Sequence, residues 1–291
     1  MKLTRTEGVL AALVVALALA ATLVPILDRS PSPGPAAVVS AQGETVTLHG
    51  RGPYRNMPAE VAVQGLAQDY VTLALGIPLL VLAALWNSRG SARSRAFLAG
   101  VSFYFPVQYT MYLAMAAYNE LFLVWTALAG LSLHLLVRAV LPLARAGAGA
   151  PAPEASRATR RYVGIFLIVN GALVMSLWLS VVVPPLLAGT LYPAGLAHLT
   201  TMIVQGFDLA WFLPPSLMAG WALLRGRAAG RWAAPAYSVF LSLQMVALLA
   251  KIIWMSAVGA GAGPALVLVP ALGVGAVLAA ILGLRSLPGR A

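Results

Sequence analysis

An all-α, polytopic integral membrane protein with eight transmembrane helices is the fold class that this 291-residue sequence predicts. Three observations carry that expectation. Hydrophobic residues make up 60% of the chain and charged residues 9%, with a mean hydropathy of +0.87; a soluble domain is about 45–50% apolar. Windows of about 20 apolar residues, enough to carry a helix through a bilayer core, recur along the whole length. These windows are continuous and lack the alternation of a barrel strand, so each must pair its backbone groups within its own segment, as a helix does.

The spans read in order as 9–27, 63–86, 97–118, 121–143, 162–187, 199–224, 232–256 and 264–284. The first also has the basic start and small residues of a cleaved signal peptide. Its length and its continuation through Pro25 and Ile26 favour a retained anchor, and cleavage would leave seven spans. Residues 28–60 form the one substantial outer loop: a Pro/Ser-rich start, then GETVTLHGRG, where Val46 and Leu48 alternate with threonines as in a short strand or hairpin. Residues 144–161 have the Gly, Pro and charge content of a linker, dividing a first half (1–143) from a second (162–291).

The net charge of +11 is a topology signal. Lys2 and Arg5, then Arg89, Arg93 and Arg95, then Arg138, Arg145, Arg157, Arg160 and Arg161, then Arg225, Arg227 and Arg231, and finally Arg285 and Arg290 all fall on one side of eight spans. The other side carries only Arg29, Arg51 and Arg55. The positive-inside rule places both termini in the cytoplasm, and the composition fits a bacterial inner membrane. The same distribution argues against a nucleic-acid partner and for the lipid bilayer, including its anionic headgroups. Zero cysteines exclude disulfides, thiolate metal sites and thiol catalysis.

An offset of 136 aligns 69–108 with 205–244 without a gap, giving ten identities in forty positions. Chance gives about four at this composition. The identities include Pro78/Pro214, Arg89/Arg225, Gly90/Gly226, Arg95/Arg231 and Gln108/Gln244. A 4+4 repeat of this kind is parallel, with its axis along the membrane normal. Prolines within spans 2 and 6 should kink both helices at equivalent points.

The candidate site residues are acids, amides and one base in apolar surroundings. Asp208, in VQGFDLAWFLPP, sits nine residues inside span 6, and Gln205 shares its face. Lys251 lies in span 7, seven residues after Gln244. A charge at such depth costs at least about 2.5–3.5 kcal/mol, so these groups should be paired or wet. An Asp208–Lys251 ion pair supported by Gln205 and Gln244 is one expectation; a snorkelling Lys251 beside a protonated or backbone-bonded Asp208 is the other. Asp69 and Gln68 at the start of span 2, Glu120 in the turn after span 3, and His198 before span 6 form a second polar group on the outer side. N-capping and interfacial polarity also account for them.

His134 and Asn170 read as helix-packing hydrogen bonders. The aromatic stretch FYFPVQYTMY reads as core packing or as the wall of a pocket for a quinone or lipid. No HExxH, GxSxG or Walker loop is present, so no catalytic residue, cofactor or metal is assigned.

Three functions remain open. One is a small transporter or ligand-binding protein with an outward-facing polar pocket for a small molecule or ion. Another is a sensor or assembly subunit meeting a protein partner through loop 28–60. The last is a membrane enzyme acting on lipid or quinone, with Asp69, Glu120 and His198 as acid–base groups.

Overall fold

In a computed structural model, the described residues are 1–149, 155–190, 193, 196, 199–257, 259, 263 and 265–289, with the backbone alone described over 146–149. His198, Glu154 and Arg290 lie outside them.

Among the described residues, eight helical rods form: α1 (Arg5–Leu27), α2 (Ala59–Asn87), α3 (Ala92–Met115), α4 (Phe122–Gly149), α5 (Arg157–Leu187), α6 (Ile203–Leu224), α7 (Ala228–Ala257) and α8 (Ala265–Arg285). Seven are long and apolar enough to cross a membrane, which makes this a helical membrane protein; α3 falls short. The physical reason for that exception is its position. It packs between α2, α4 and α7, so Ser, Tyr and Gln side chains face protein rather than lipid, and Arg95, Ser102, Tyr104 and Gln108 are all buried.

Helices α1, α2, α3, α5 and α7 begin four or five residues before the predicted spans, and two further boundaries differ. α4 continues through 144–149, taking up the start of the predicted linker. α6 begins at Ile203, four residues after the predicted start of span 6 at 199, so Asp208 lies five residues into its helix. At a rise of 1.5 Å per residue that is a depth of about 8 Å, shallower than the sequence placed it.

Residues 28–58 are ordered by a hairpin. β1 (Ala36–Val39) pairs antiparallel with β2 (Thr45–Leu48), Val38 opposite Val46. A bridge from Leu48 to Pro58 then leads the chain into α2. A 3₁₀ turn at Gly52–Tyr54 drives the Tyr54 ring into the bundle, where it is 1% exposed.

On the basic side the helix ends are tied by arginines. Thr4 and Glu7 close a capping box on α1. Glu7 also pairs with Arg95 of α3, and both are buried. The same guanidinium donates to the carbonyls of Arg138 and Ala139 in α4. One buried side chain thus joins three helices. Arg93 donates to the carbonyls of Leu284, Arg285 and Leu287, capping the end of α8.

Features recur at the 136-residue offset. α3 starts at Ala92 and α7 at Ala228, each preceded by a turn with a left-handed glycine, Gly90 (φ 70°) or Gly226 (φ 68°). α3 and α7 pack together along the centre. There Gly100 approaches the carbonyl of Ala236 so closely that a Cβ would sit 2.4 Å from it, and Gln108 Nε2 donates to Gln244 Oε1 at 2.6 Å. Both pairs are 136 residues apart.

Candidate functional site

Spans 2 and 6 each contain a π-helical turn immediately before their proline: Thr72–Gly76 in α2 and Asp208–Phe212 in α6. A proline supplies no N–H to the helix ladder, and a π turn accommodates the shifted hydrogen bonds while widening the helix. The Tyr237 hydroxyl donates to the Phe212 carbonyl at 2.6 Å, satisfying an acceptor at the end of the second turn. Such turns re-aim the side chains that precede them.

Asp208 is the first residue of its π turn and is half-buried. Its Oδ2 accepts from Trp178 Nε1 of α5 at 2.7 Å. Its Oδ1 accepts no hydrogen bond among the described residues. Trp178 is the partner that the sequence reading missed, because it comes from a helix 30 residues away with no polar neighbour to mark it.

Asp69 is more enclosed, 1% exposed, and both of its oxygens are occupied. Tyr54 Oη donates to Oδ2 at 2.7 Å, and Tyr112 Oη to Oδ1 at 2.8 Å. Trp125 and Tyr112 stack beside Tyr54, with Tyr112 and Trp125 ring centres 5.0 Å apart. Below, Gln68 donates to Tyr104 and Thr72, and the Thr72 and Tyr104 hydroxyls are 2.9 Å apart. Asp69 is therefore a buried acceptor within the bundle, and not the helix-capping or interfacial group that its position in the sequence allowed. Proximity of Tyr54 and Tyr112 to it was invisible in the sequence.

Lys251 of α7 lies within the electrostatic reach of both carboxylates. Helix α7 packs against α2 and, through Leu213–Leu224, against α6. Among the described residues it closes no ion pair within 4 Å, the two such pairs being Arg55–Glu120 and Arg95–Glu7. The expected tight Asp208–Lys251 contact is therefore not formed. Tyr70 of α2 and Trp254 of α7 meet at 5.2 Å, one turn along α7 from Lys251. Gln244 serves the contact with Gln108 and Gln205 is half-buried; neither hydrogen-bonds to Asp208 or Lys251.

Glu120 does not join this group. It is exposed and pairs with Arg55 at 2.7 Å, tying the segment that precedes α2 to the turn before α4. The Arg55 guanidinium holds the Glu120 carboxyl below its usual range. The attraction is therefore present at neutral pH and is lost only as acid drives the pH down through that lowered range. A surface pair of this kind contributes about 0–1 kcal/mol. Glu120→Gln should accordingly leave the detergent melting temperature at pH 7 almost unchanged.

Asp69 and Glu120 thus have separate partners. His134 is exposed and bonds the Gly130 carbonyl of its own helix at 2.8 Å, so it does not join two helices as expected. Asn170 is buried, yet its amide has no partner among the described residues. No group of three or more His, Asp or Glu able to hold a metal occurs among the described residues.

Of the aromatic stretch in α3, Phe103 lines an apolar cavity of about 460 Å³ towards the basic end of the bundle, whereas Tyr104, Phe105, Tyr109 and Tyr112 are core. That cavity is separate from Asp208 and Lys251, which do not line it.

Comparison with protein-family models, with curated proteins and with solved structures finds no match.

Proposed function

We propose that this chain is a small transporter or ligand-binding membrane protein that takes a cation at Asp208, from the side of the membrane that carries the outer hairpin. The observation that carries the reading is the state of the Asp208 carboxyl: half-buried in an apolar helix, it has one oxygen held by Trp178 and the other without a hydrogen bond among the described residues. In a low-dielectric interior an uncompensated charge is costly, so a further positive charge, a proton or a bound cation, is favoured there. Asp69 has both oxygens occupied by phenols, whereas Asp208 has one free and is half-buried. The exchangeable position is Asp208.

In this reading all eight helices cross a cell inner membrane, with both termini cytoplasmic. A 24-residue α3 extends about 36 Å, enough for a core of about 30 Å. The two halves are a parallel 4+4 repeat; π turns, helix starts and contacts at the same 136-residue offset support it. Thr72 occupies the position equivalent to Asp208 and Met115 that of Lys251, so the charged site belongs to the second half with Asp69 contributed by the first.

The cysteine-free sequence makes a direct test simple. Purified wild type and Asp208→Asn are melted in detergent with sodium, potassium or small alkylammonium chlorides at matched ionic strength, and at graded pH. A cation at a hundred times its Kd stabilises by about 2.7 kcal/mol. The wild type should rise with one of these cations or with protons, and Asp208→Asn should not. In membranes, Gln205→Cys should react with an impermeant thiol reagent applied from the hairpin side. Equal responses of wild type and Asp208→Asn under every condition, or a Gln205→Cys unreactive from that side, rejects the proposal.

A second reading, docking of a protein partner on loop 28–60, is favoured by one observation: Val39 at the end of β1 is 71% exposed. Deleting 36–48 would then release a partner while leaving the cation response intact.

A further inference from the structure

The apolar cavity near the basic end has no role in the cation reading, and its chemistry is different. Its walls include Gly100 and Phe103 of α3, Pro215 and Ala219 of α6, and Trp232 and Tyr237 of α7. Its volume of about 460 Å³ falls within the roughly 300–1,000 Å³ of small-molecule sites. The cavity exists because the residues between α3 and α7 are small. Gly100 lets the two helices touch backbone to side chain, and alanines at 99, 229, 233 and 236 leave space that larger side chains would fill.

The cavity is open on one side. Val140 and Ala144 of α4 and Ala229 and Ala233 of α7 line it and are exposed, so the opening lies between helices and faces the hydrocarbon of a surrounding bilayer. At its lower end the lining stops at Ala144 and Ala229. Arg145 follows the first directly and Arg227 precedes the second by two residues; both are exposed, Arg227 lying over the Trp221 ring at 4.3 Å. No Asp or Glu occurs in 121–149 or 209–257, so these guanidiniums have no acid on their own helices to neutralise them.

An apolar slot that opens sideways into lipid and ends at arginines that close no ion pair among the described residues selects an amphipathic anion. We propose that this cavity binds one acyl chain of an anionic phospholipid, with its phosphate held at Arg145 and Arg227. Basic pockets between transmembrane helices hold anionic headgroups by the same combination of charge and lateral access. The bilayer itself supplies the ligand at high local concentration, so the site is filled from within the membrane and needs no path through water.

The test uses the full chain reconstituted in nanodiscs of equal phosphatidylcholine and phosphatidylglycerol, re-extracted in mild detergent and weighed by native mass spectrometry. Wild type should retain phosphatidylglycerol several-fold over phosphatidylcholine. Arg145→Gln with Arg227→Gln should bring that ratio to one while still retaining lipid. Ala233→Phe, or Ala229→Leu where the first variant melts early, should lose the bound lipid of either kind, since each side chain grows into open space. Retained lipid that mirrors the nanodisc mixture in wild type, an unchanged ratio in the arginine variant, or full retention in a well-folded filled variant overturns the assignment.

Discussion

Glu7→Gln is expected to lower stability more than any other single change to the charged residues of α1. The Glu7 carboxylate is 2% exposed and faces Arg95, which is 1% exposed. Removing one partner of a buried pair leaves the other charge stranded, at a cost of about 3–5 kcal/mol. Arg95 keeps its bonds to the carbonyls of Arg138 and Ala139, so α3 and α4 stay joined while α1 loses its anchor. Thermal unfolding in detergent measures the loss. The double variant Glu7→Gln with Arg95→Met should recover part of it, because an apolar replacement of a buried pair is often neutral or better. A loss below about 1 kcal/mol, or a double variant no better than the single, would show that the pair does not hold the bundle. Deleting residues 1–27 should be at least as damaging, since it strands the same guanidinium and uncovers the faces of α2 and α4 that α1 packs against.

Asp69→Leu should have the next largest effect, and a different readout. It strands the buried Tyr54 hydroxyl, at about 1–3 kcal/mol, and takes from Tyr112 one of its two acceptors, leaving it the Gly65 carbonyl at 2.8 Å. Tyr54 is also the point where the hairpin segment before α2 plugs into the bundle. Its release should free residues 28–58, so trypsin should cut at Arg51 and Arg55 much faster than in wild type. Tyr54→Phe should show a smaller version, because it removes one bond while Tyr112 keeps both Asp69 and the Gly65 carbonyl as acceptors. Asp69→Asn should fall between, since its amide oxygen can still accept. An Asp69→Leu protein that melts normally and resists trypsin would mean that the carboxylate contributes nothing to holding the loop.

The membrane-embedded class and the apolar helices were legible because transfer into lipid is a sum over neighbouring residues. Seven helices carry that signal plainly. The remaining one, α3, shows where the sum misleads: its polar side chains are tolerated because they are enclosed by other helices. Prolines 78 and 214 marked the irregular points of α2 and α6, and the widened turns lie immediately before them. Asp208, Asp69 and Lys251 stood out in the sequence because charge is rare in such segments. Their partners did not stand out. Trp178, Tyr54 and Tyr112 are ordinary aromatic residues in a chain that has 7 Trp and 9 Tyr, and only their position makes them donors.

Composition and order along the chain determined that this protein lives in a membrane, which stretches are helical and which helix ends carry the positive charge. These follow from local solvation energies, which need no knowledge of neighbours. Tertiary structure alone decided that Glu7 meets Arg95 across 88 residues, that Gln108 meets Gln244 across 136, and that Asp208 takes its hydrogen bond from Trp178. Those contacts depend on which helix faces pack and at what depth. A one-dimensional hydropathy pattern does not encode either, because lipid-facing and helix-facing surfaces are almost equally apolar.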